Sequence, residues 1–280
     1  MSTAVIAPVN PFSAEAKETV MSVMRRDRDK FTRLVSDPKN WNVMTRCTGW
    51  ETRDLVGHMI DVMEGYFKNW DAAKKGETPT PLGLGVMGET LNDHALELRK
   101  LPREEALDRF KKDAMKLDGM LDALKPQEWE GLMISHPFAG PAPAGAYAVF
   151  QIMDYGIHPY DIEYGLGNKL ATIDEASAGL ILPWTFIFWQ NTVDKKAAEG
   201  VDIAYGIEVG GPWGGKWRCK VKDGAFTYEA EQGNFEGCDA LLRFENPQEE
   251  VLTHFGRFPG GAAQGDPEVI DKVRHLFFSF

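Results

Sequence analysis

Cysteine is scarce in this chain: Cys47, Cys219 and Cys238 are the three among 280 residues, and none belongs to a C-x-x-C pair. An odd, widely spaced set indicates neither a disulfide framework nor a zinc knuckle, and reduced thiols fit the cytoplasm. Basic clusters are missing as well. Lys and Arg occur at most as pairs such as Arg25, Arg26 and Lys74, Lys75, and the formal net charge is -11, so nothing here resembles a phosphate-neutralising footprint. Long apolar runs are absent too: the longest, "AGLILPWTFIFW", is interrupted by Pro183 and falls short of the roughly 20 residues needed to span a bilayer. The N-terminal "MSTAVIAPVNPFSAEAKETV" has no basic region and meets Pro8 and Pro11 before any stretch apolar enough for a signal peptide. These absences predict a cytoplasmic protein that partners neither nucleic acid nor membrane.

What is present is the composition of a folded chain: 43% hydrophobic, 11% aromatic and 26% charged residues, with eight Trp. At roughly 150 residues per domain, the length predicts two cores.

Hydrophobic periodicity divides the chain. From about Ser13 to Leu34, Val20, Val23, Met24, Phe31 and Leu34 fall near one another on a 3.6-residue wheel, which predicts a first amphipathic helix. A second opens near Trp50, with either Thr48 and Glu51 as a capping box or Glu51 at the N-cap and Asp54 in the first turn. Its inward stripe is Leu55, Met59, Val62, Met63, Tyr66 and Phe67, and His58 lies beside that stripe. A third arm runs from about Met87 to Leu124 with a break at Leu101 to Pro102. Prolines 137, 141 and 143 then predict an irregular connection until about Gly145, and the fourth arm, "AYAVFQIMDYGIHPYDIEYGL", is closed by Gly165 and Gly167. Four helical arms argue for a four-helix bundle over residues 1–170. Residues 171–280 change character: a helix, alternating segments "DIAYGIEVG", "KWRCKVKDGAFTYEAEQ" and "CDALLRFE" with a hairpin signal at Asp223-Gly224, and two short helices predict a small α+β domain.

Candidate chemistry sits on the fourth arm. Asp154 and His158 are four positions apart, hence on one helix face about 6 Å apart along the axis, and His58 on the second arm can converge with them inside a bundle. Two imidazoles and one carboxylate leave open positions, as catalytic metal sites require. The plain alternative is a surface Asp–His hydrogen bond. Apolar neighbours Phe150, Met153, Ile157 and Ile162 favour a buried pair that needs partners, whereas Pro159 removes a backbone hydrogen bond directly after His158.

The segments "TRCTGWETRDLVGHMID" and "DYGIHPYDIEYGLG", followed by "GCDALLRFENPQEEVLTHFGR" and "GDPEVIDKVRHLF", resemble the mycothiol-dependent maleylpyruvate isomerase family. The resemblance covers nearly the whole chain and implies an N-terminal all-α DinB-like four-helix bundle with a C-terminal α+β sterol-carrier-like domain. It further implies a divalent metal, usually zinc, held by His58, Asp154 and His158, with Asp161 orienting a ligand. Nickel or iron also suits such a donor set. The sequence departs from the family pattern in having Asp154 where Glu is common and Pro159 where a basic residue is common. Arg257 in "FGR" matches a family pattern and is a candidate for the thiol cofactor, although an Arg after a helix-ending Gly also makes a C-terminal cap or a surface ion pair.

A metal with an open position can hold a low-molecular-weight thiol such as mycothiol as the thiolate for attack on a small electrophile, with S-transfer or cis-trans isomerisation as the outcome. Cys47 reads as structural. Two other readings stand beside this one: a hydrolase using Asp161 or Asp61 as base, and a non-enzymatic binder of apolar ligands lined by Trp184, Phe186, Phe188 and Trp189. His136 in the long connection is a further candidate for the mouth of the site, and Trp213, at the tip of "GGPWGGKW", for covering a cleft. His94, His254 and His275 read as surface or packing residues, and a monomer or homodimer is expected.

Overall fold

A single 3-10 turn at Ala14–Ala16 leads into α1 (Lys17–Ser36), the first of the predicted helices, in a computed structural model that describes residues 10–277 except the side chains of 91 and 92. The N-terminal stretch read above for targeting signals, up to residue 9, lies outside the described residues. The chain divides into a helical unit, residues 10–177, and a sheet-containing unit from residue 178 onward.

In the helical unit, α2 (Thr52–Lys74) begins where Asp54 turns back to accept from the Glu51 backbone N–H at 2.7 Å, the second of the two capping arrangements foreseen. The third arm is α3 (Leu84–Leu98) and α4 (Arg103–Asp122), split where Pro102 disfavours a helical residue before it. The connection to the fourth arm is more regular than its prolines suggest. It holds α5 (Pro126–Gly131), started by a proline at its first position, and an antiparallel hairpin of β1 (Met133–His136) and β2 (Gly140–Pro143). Pro141 and Pro143 are accommodated because β2 has a single neighbour, so their missing donors break no second ladder.

The fourth arm, α6 (Ala146–Gly165), is buried on nearly every side, from Ala146 to Ile152 and from Tyr155 to Ile162, and it continues through Pro159. A helix apolar all round belongs inside a core, and α6 packs against α1, α2 and β2, while α4 packs against α1 and α2. Phe31 of α1 anchors this core, with ring centroids 5.3 Å from Phe110 of α4 and 6.0 Å from Tyr155 of α6. At the end of α6 a Cβ on Gly165 would lie 2.0 Å from the Met44 carbonyl oxygen, so only glycine lets the 43–51 loop lie against this helix.

From α7 (Glu175–Thr192) the chain enters a five-stranded sheet in the order β5-β4-β3-β6-β7: β3 (Asp202–Val209), β4 (Gly215–Lys222), β5 (Ala225–Ala230), β6 (Ala240–Phe244) and β7 (Ala262–Gly265). Asp223 and Gly224, both at positive φ (51° and 74°), make the two-residue turn between β4 and β5. Pairing is antiparallel except between β3 and β6. Alternate residues Ile203, Tyr205, Ile207 and Val209 of β3 share a buried face with Trp217, Cys219 and Val221 of β4. Two short helices, α8 (Pro247–His254) and α9 (Pro267–His275), are N-capped by Asn246 and Asp266.

Candidate metal centre

Each member of the cluster is held by a different local device. The capped start of α2 is clamped by Arg99, just past the end of α3, whose Nε lies 2.7 Å from Asp54 Oδ1, and His58 follows one turn later with Trp50 packed at 5.3 Å between ring centroids. Asp154 and His158 come from successive turns of α6. Loop 43–51 is tied down by Thr45 N–H to the Trp50 carbonyl (2.9 Å) and by Arg46 N–H to the Asp161 carbonyl (3.0 Å), which delivers Cys47 to the same place.

Asp154 Oδ1 stands 3.6 Å from His58 Nε2 and 3.9 Å from His158 Nε2, and the two imidazoles meet edge to face at 5.3 Å. All three side chains are largely buried, with relative exposures of 8%, 12% and 9% for His58, Asp154 and His158. His158 Nδ1 lies 2.9 Å from Asp161 Oδ2, and since a carboxylate accepts, the proton belongs on Nδ1 and the Nε2 lone pair faces Asp154. Burial pulls the His158 pKa down, opposed by the hydrogen bond to Asp161, so the ring is held neutral.

These gaps exceed a hydrogen bond, and an imidazole lone pair facing a carboxylate is unfavourable unless a positive centre lies between them. Ligand atoms around a tetrahedral ion with bonds of about 2.0–2.1 Å sit roughly 3.3 Å apart. The donor atoms of His58, Asp154 and His158, all within 4.8 Å of one another, therefore fit a divalent cation after a small inward movement. Asp161, fully buried, accepts on the same oxygen from Cys47 Sγ at 3.1 Å, and Cys47 Sγ is 3.9 Å from His158 Nδ1. Cys47, Asp161 and His158 also form a ligand-capable group, but their short contacts are already accounted for by hydrogen bonds. Asp161 holds the His158 tautomer, as carboxylates commonly do behind metal-ligating histidines.

Further along, His136 at the end of β1 accepts on Nδ1 from the N–H groups of Phe138 (3.3 Å) and Ala139 (3.1 Å), which leaves Nε2 as the donor. Burial depresses its pKa to about 4 against the opposing charge of Asp154, so it is neutral. Tyr66 lies 5.7 Å from it, ring to ring, and its phenol pKa is raised by burial and then by Asp154.

The two remaining candidates belong to the sheet-containing unit. Arg257 Nη1 donates to the Phe255 carbonyl at 2.7 Å, just past α8. Trp213 seats its indole on Gly179 of α7, where an added Cβ would come within 2.3 Å of the ring. Of the possible bases, Asp61 is engaged at 2.9 Å by His94 of α3. Phe186 stacks with Trp217 and Tyr228, and Trp189 meets Phe226 edge-on, as core aromatics of α7 do against the sheet. Sequence reasoning read Cys47 as structural and Tyr66 as part of the inward stripe, and gave neither a place at the site. Tyr66 was visible as an inward position eight residues from His58, whereas a loop residue such as Cys47 carries no periodic signal.

A helical unit with a buried two-histidine, one-carboxylate cluster defines a class of candidate metalloproteins. Residues 24–163, half of the chain, match the family described as mycothiol maleylpyruvate isomerase N-terminal domain, and the chain belongs to that family. The solved structure of the mycothiol-dependent maleylpyruvate isomerase is similar in fold at 16% sequence identity, with a TM-score of 0.61 over 89% of this chain and 92% of that one. A histidine-to-alanine mutant of that enzyme matches equally, at 16% identity and a TM-score of 0.61 over the same shares. No curated protein matches the sequence.

Proposed function

We propose that the chain is a divalent-metal-dependent enzyme that activates a low-molecular-weight thiol, mycothiol or a relative of it, for attack on a small electrophilic substrate, in the manner of a maleylpyruvate isomerase or an S-transferase. The observation that carries this reading is the convergence of His58, Asp154 and His158 with their donor atoms facing one another. In keeping with it, we read the helical unit as a DinB-like four-helix bundle and the second unit as sterol-carrier-like, in a cytoplasmic monomer or homodimer. Zinc is the favoured ion, because imidazole and carboxylate are its usual ligands, with nickel or iron also compatible.

When bound, the metal supplies a positive centre that lowers a thiol's pKa and keeps the thiolate available near neutral pH. His58 and His158 would hold the ion through their imidazole nitrogens, and Asp154 would contribute a carboxylate oxygen. Asp161 keeps the proton of His158 on Nδ1, so that Nε2 stays a donor to the metal. Trp50 beside His58, and Tyr66, Tyr147 and Phe150 beyond it, line the region with aromatic surface that excludes water. The low-molecular-weight thiol is the nucleophile in this reading because Cys47, the nearest protein thiol, is engaged with Asp161.

The test is turnover of maleylpyruvate and of electrophilic S-acceptors by metal-loaded protein, with and without mycothiol. The expected result is strict dependence on both metal and thiol, lost in His58→Ala. Turnover indifferent to thiol would overturn the reading in favour of hydrolysis.

A further inference from the structure

We propose that the Tyr66 hydroxyl and the His136 Nε2–H form a metal-independent subsite that takes an acceptor oxygen, carbonyl or carboxylate, at the end of the ligand remote from the His58, Asp154 and His158 cluster. Its place in catalysis rests on the metal-dependent reading above; its ability to bind does not.

The placement follows from the helices. Tyr66 is eight residues beyond His58 on α2, about 12 Å along the axis, and helical side chains lean back toward the N-terminus, which here is toward His58. On α6, Phe150 and Tyr147 lie one and two turns before Asp154. Tyr66 packs on Tyr147 at 4.8 Å and His136 on Phe150 at 5.1 Å, so the two rings belong to one aromatic layer beyond the metal ligands.

Both tips are donors without an acceptor. Two backbone N–H groups occupy His136 Nδ1, which fixes the proton on Nε2, and that nitrogen makes no hydrogen bond among the described residues. Tyr66 is 3% exposed and its hydroxyl has no hydrogen-bond partner among the described residues either, but neither it nor the Nε2 of half-buried His136 is among the fully buried atoms left without a partner. Each tip therefore keeps some accessible surface, through which a ligand atom can reach it. Two such donors on rings packed 5.7 Å apart, both uncharged, are the complement of an oxygen lone pair brought in by a ligand. The substrate class that fits is a small molecule with a reactive carbon near the metal and a carbonyl or carboxylate oxygen at its far end.

Crotonate and crotonamide, which share a carbon skeleton and differ in charge, serve as probes in NMR titrations of the metal-loaded protein, with His136 ring ¹⁵N signals as the local reporter. Tyr66→Phe removes only the hydroxyl. His136→Asn keeps an acceptor for the Phe138 and Ala139 N–H groups and removes the Nε2 donor, so the turn retains its bond. Each substitution is expected to weaken binding about 3- to 10-fold, the loss of one hydrogen bond, and the weakening is expected to persist in the His58→Ala background. Preference for crotonate assigns a carboxylate, and equal binding a carbonyl; either supports the subsite. Unchanged binding in both variants overturns it, as does the absence of any probe-induced shift in the wild-type protein. Probe binding abolished by His58→Ala but untouched by Tyr66→Phe also overturns it, since the metal would then be the sole anchor. Binding that senses Tyr66 in a protein that takes up no metal leaves the subsite standing and removes the metal-dependent reading instead.

Discussion

Both units bury a carboxyl group and a histidine, and they treat them in opposite ways. In the helical unit the groups converge: His158 and Cys47 share one oxygen of Asp161, and His58 and Asp154 close on the other side of the same imidazole. In the sheet-containing unit Glu250 and His254 stand four positions apart on α8, yet among the described residues no ion pair joins them and no third ligand-capable group meets them. Glu250 of α8 is reached by the Thr185 hydroxyl at 3.2 Å, and His254 Nδ1 is buried with no partner among the described residues. Burial pushes the Glu250 carboxyl up to about 8 and the His254 imidazole down to about 3, so each stays uncharged near neutral pH. Burial alone neutralises a titratable group; convergence of several is what makes a site for a cation.

The comparison breaks first at the proposed metal ligands. His58→Ala and His158→Ala are each expected to weaken metal binding on the order of hundredfold or more, beyond the 10–100-fold typical of outer-shell changes. Metal content per chain by inductively coupled plasma mass spectrometry checks this, and retention of full metal by both variants would falsify the site.

The next largest effect belongs to the other unit. Native Glu250 keeps a proton that the unfolded carboxyl, with its ordinary value of 4.5, has lost, so stability falls as pH rises from about 4.5 toward 8. Native His254 lacks a proton that its unfolded form carries below 6.5, so its share falls as pH drops from 6.5 toward 3. The two slopes oppose each other between about 4.5 and 6.5, and Glu250 acts alone above that. Over pH 6.5–8 the decline is about 2 kcal/mol, at about 1.4 kcal/mol per unit. Glu250→Gln should flatten it in urea titrations across that range, and an unchanged slope would show that Glu250 is ionised in the fold.

Asp161→Ala, which frees His158 to change tautomer, should lower metal affinity about 10–100-fold in competitive chelator titrations while leaving the ligands in place. Gly179→Ala forces a Cβ against the Trp213 indole and should cost about 1–3 kcal/mol of stability. An unshifted denaturation midpoint would mean that Trp213 is not seated on α7. The smallest effect is at Cys47: Cys47→Ala, which removes one donor to Asp161, should weaken metal binding about 3-fold, and Cys47→Ser, which restores a donor, should recover it.

The helices were legible because burial imposes a 3.6-residue period, and their breaks because Pro102 and the Glu51–Asp54 cap act within a few residues. The Asp223-Gly224 turn was legible for a similar reason, since few residues tolerate positive φ. The β1–β2 hairpin was not: its prolines argued against regular structure, and only an unpaired strand edge makes room for them.

For the site, sequence alone put Asp154 and His158 on one helix face, because that spacing is fixed by the helix itself. Tertiary structure decided the rest: the approach of His58 to within 3.6 Å of Asp154, the delivery of Cys47 to Asp161 by a loop that Gly165 admits, and the pairing of Tyr66 with His136. Local geometry is set by bonds along the chain, whereas distances between elements are set by how their buried faces pack, which no short window of sequence contains.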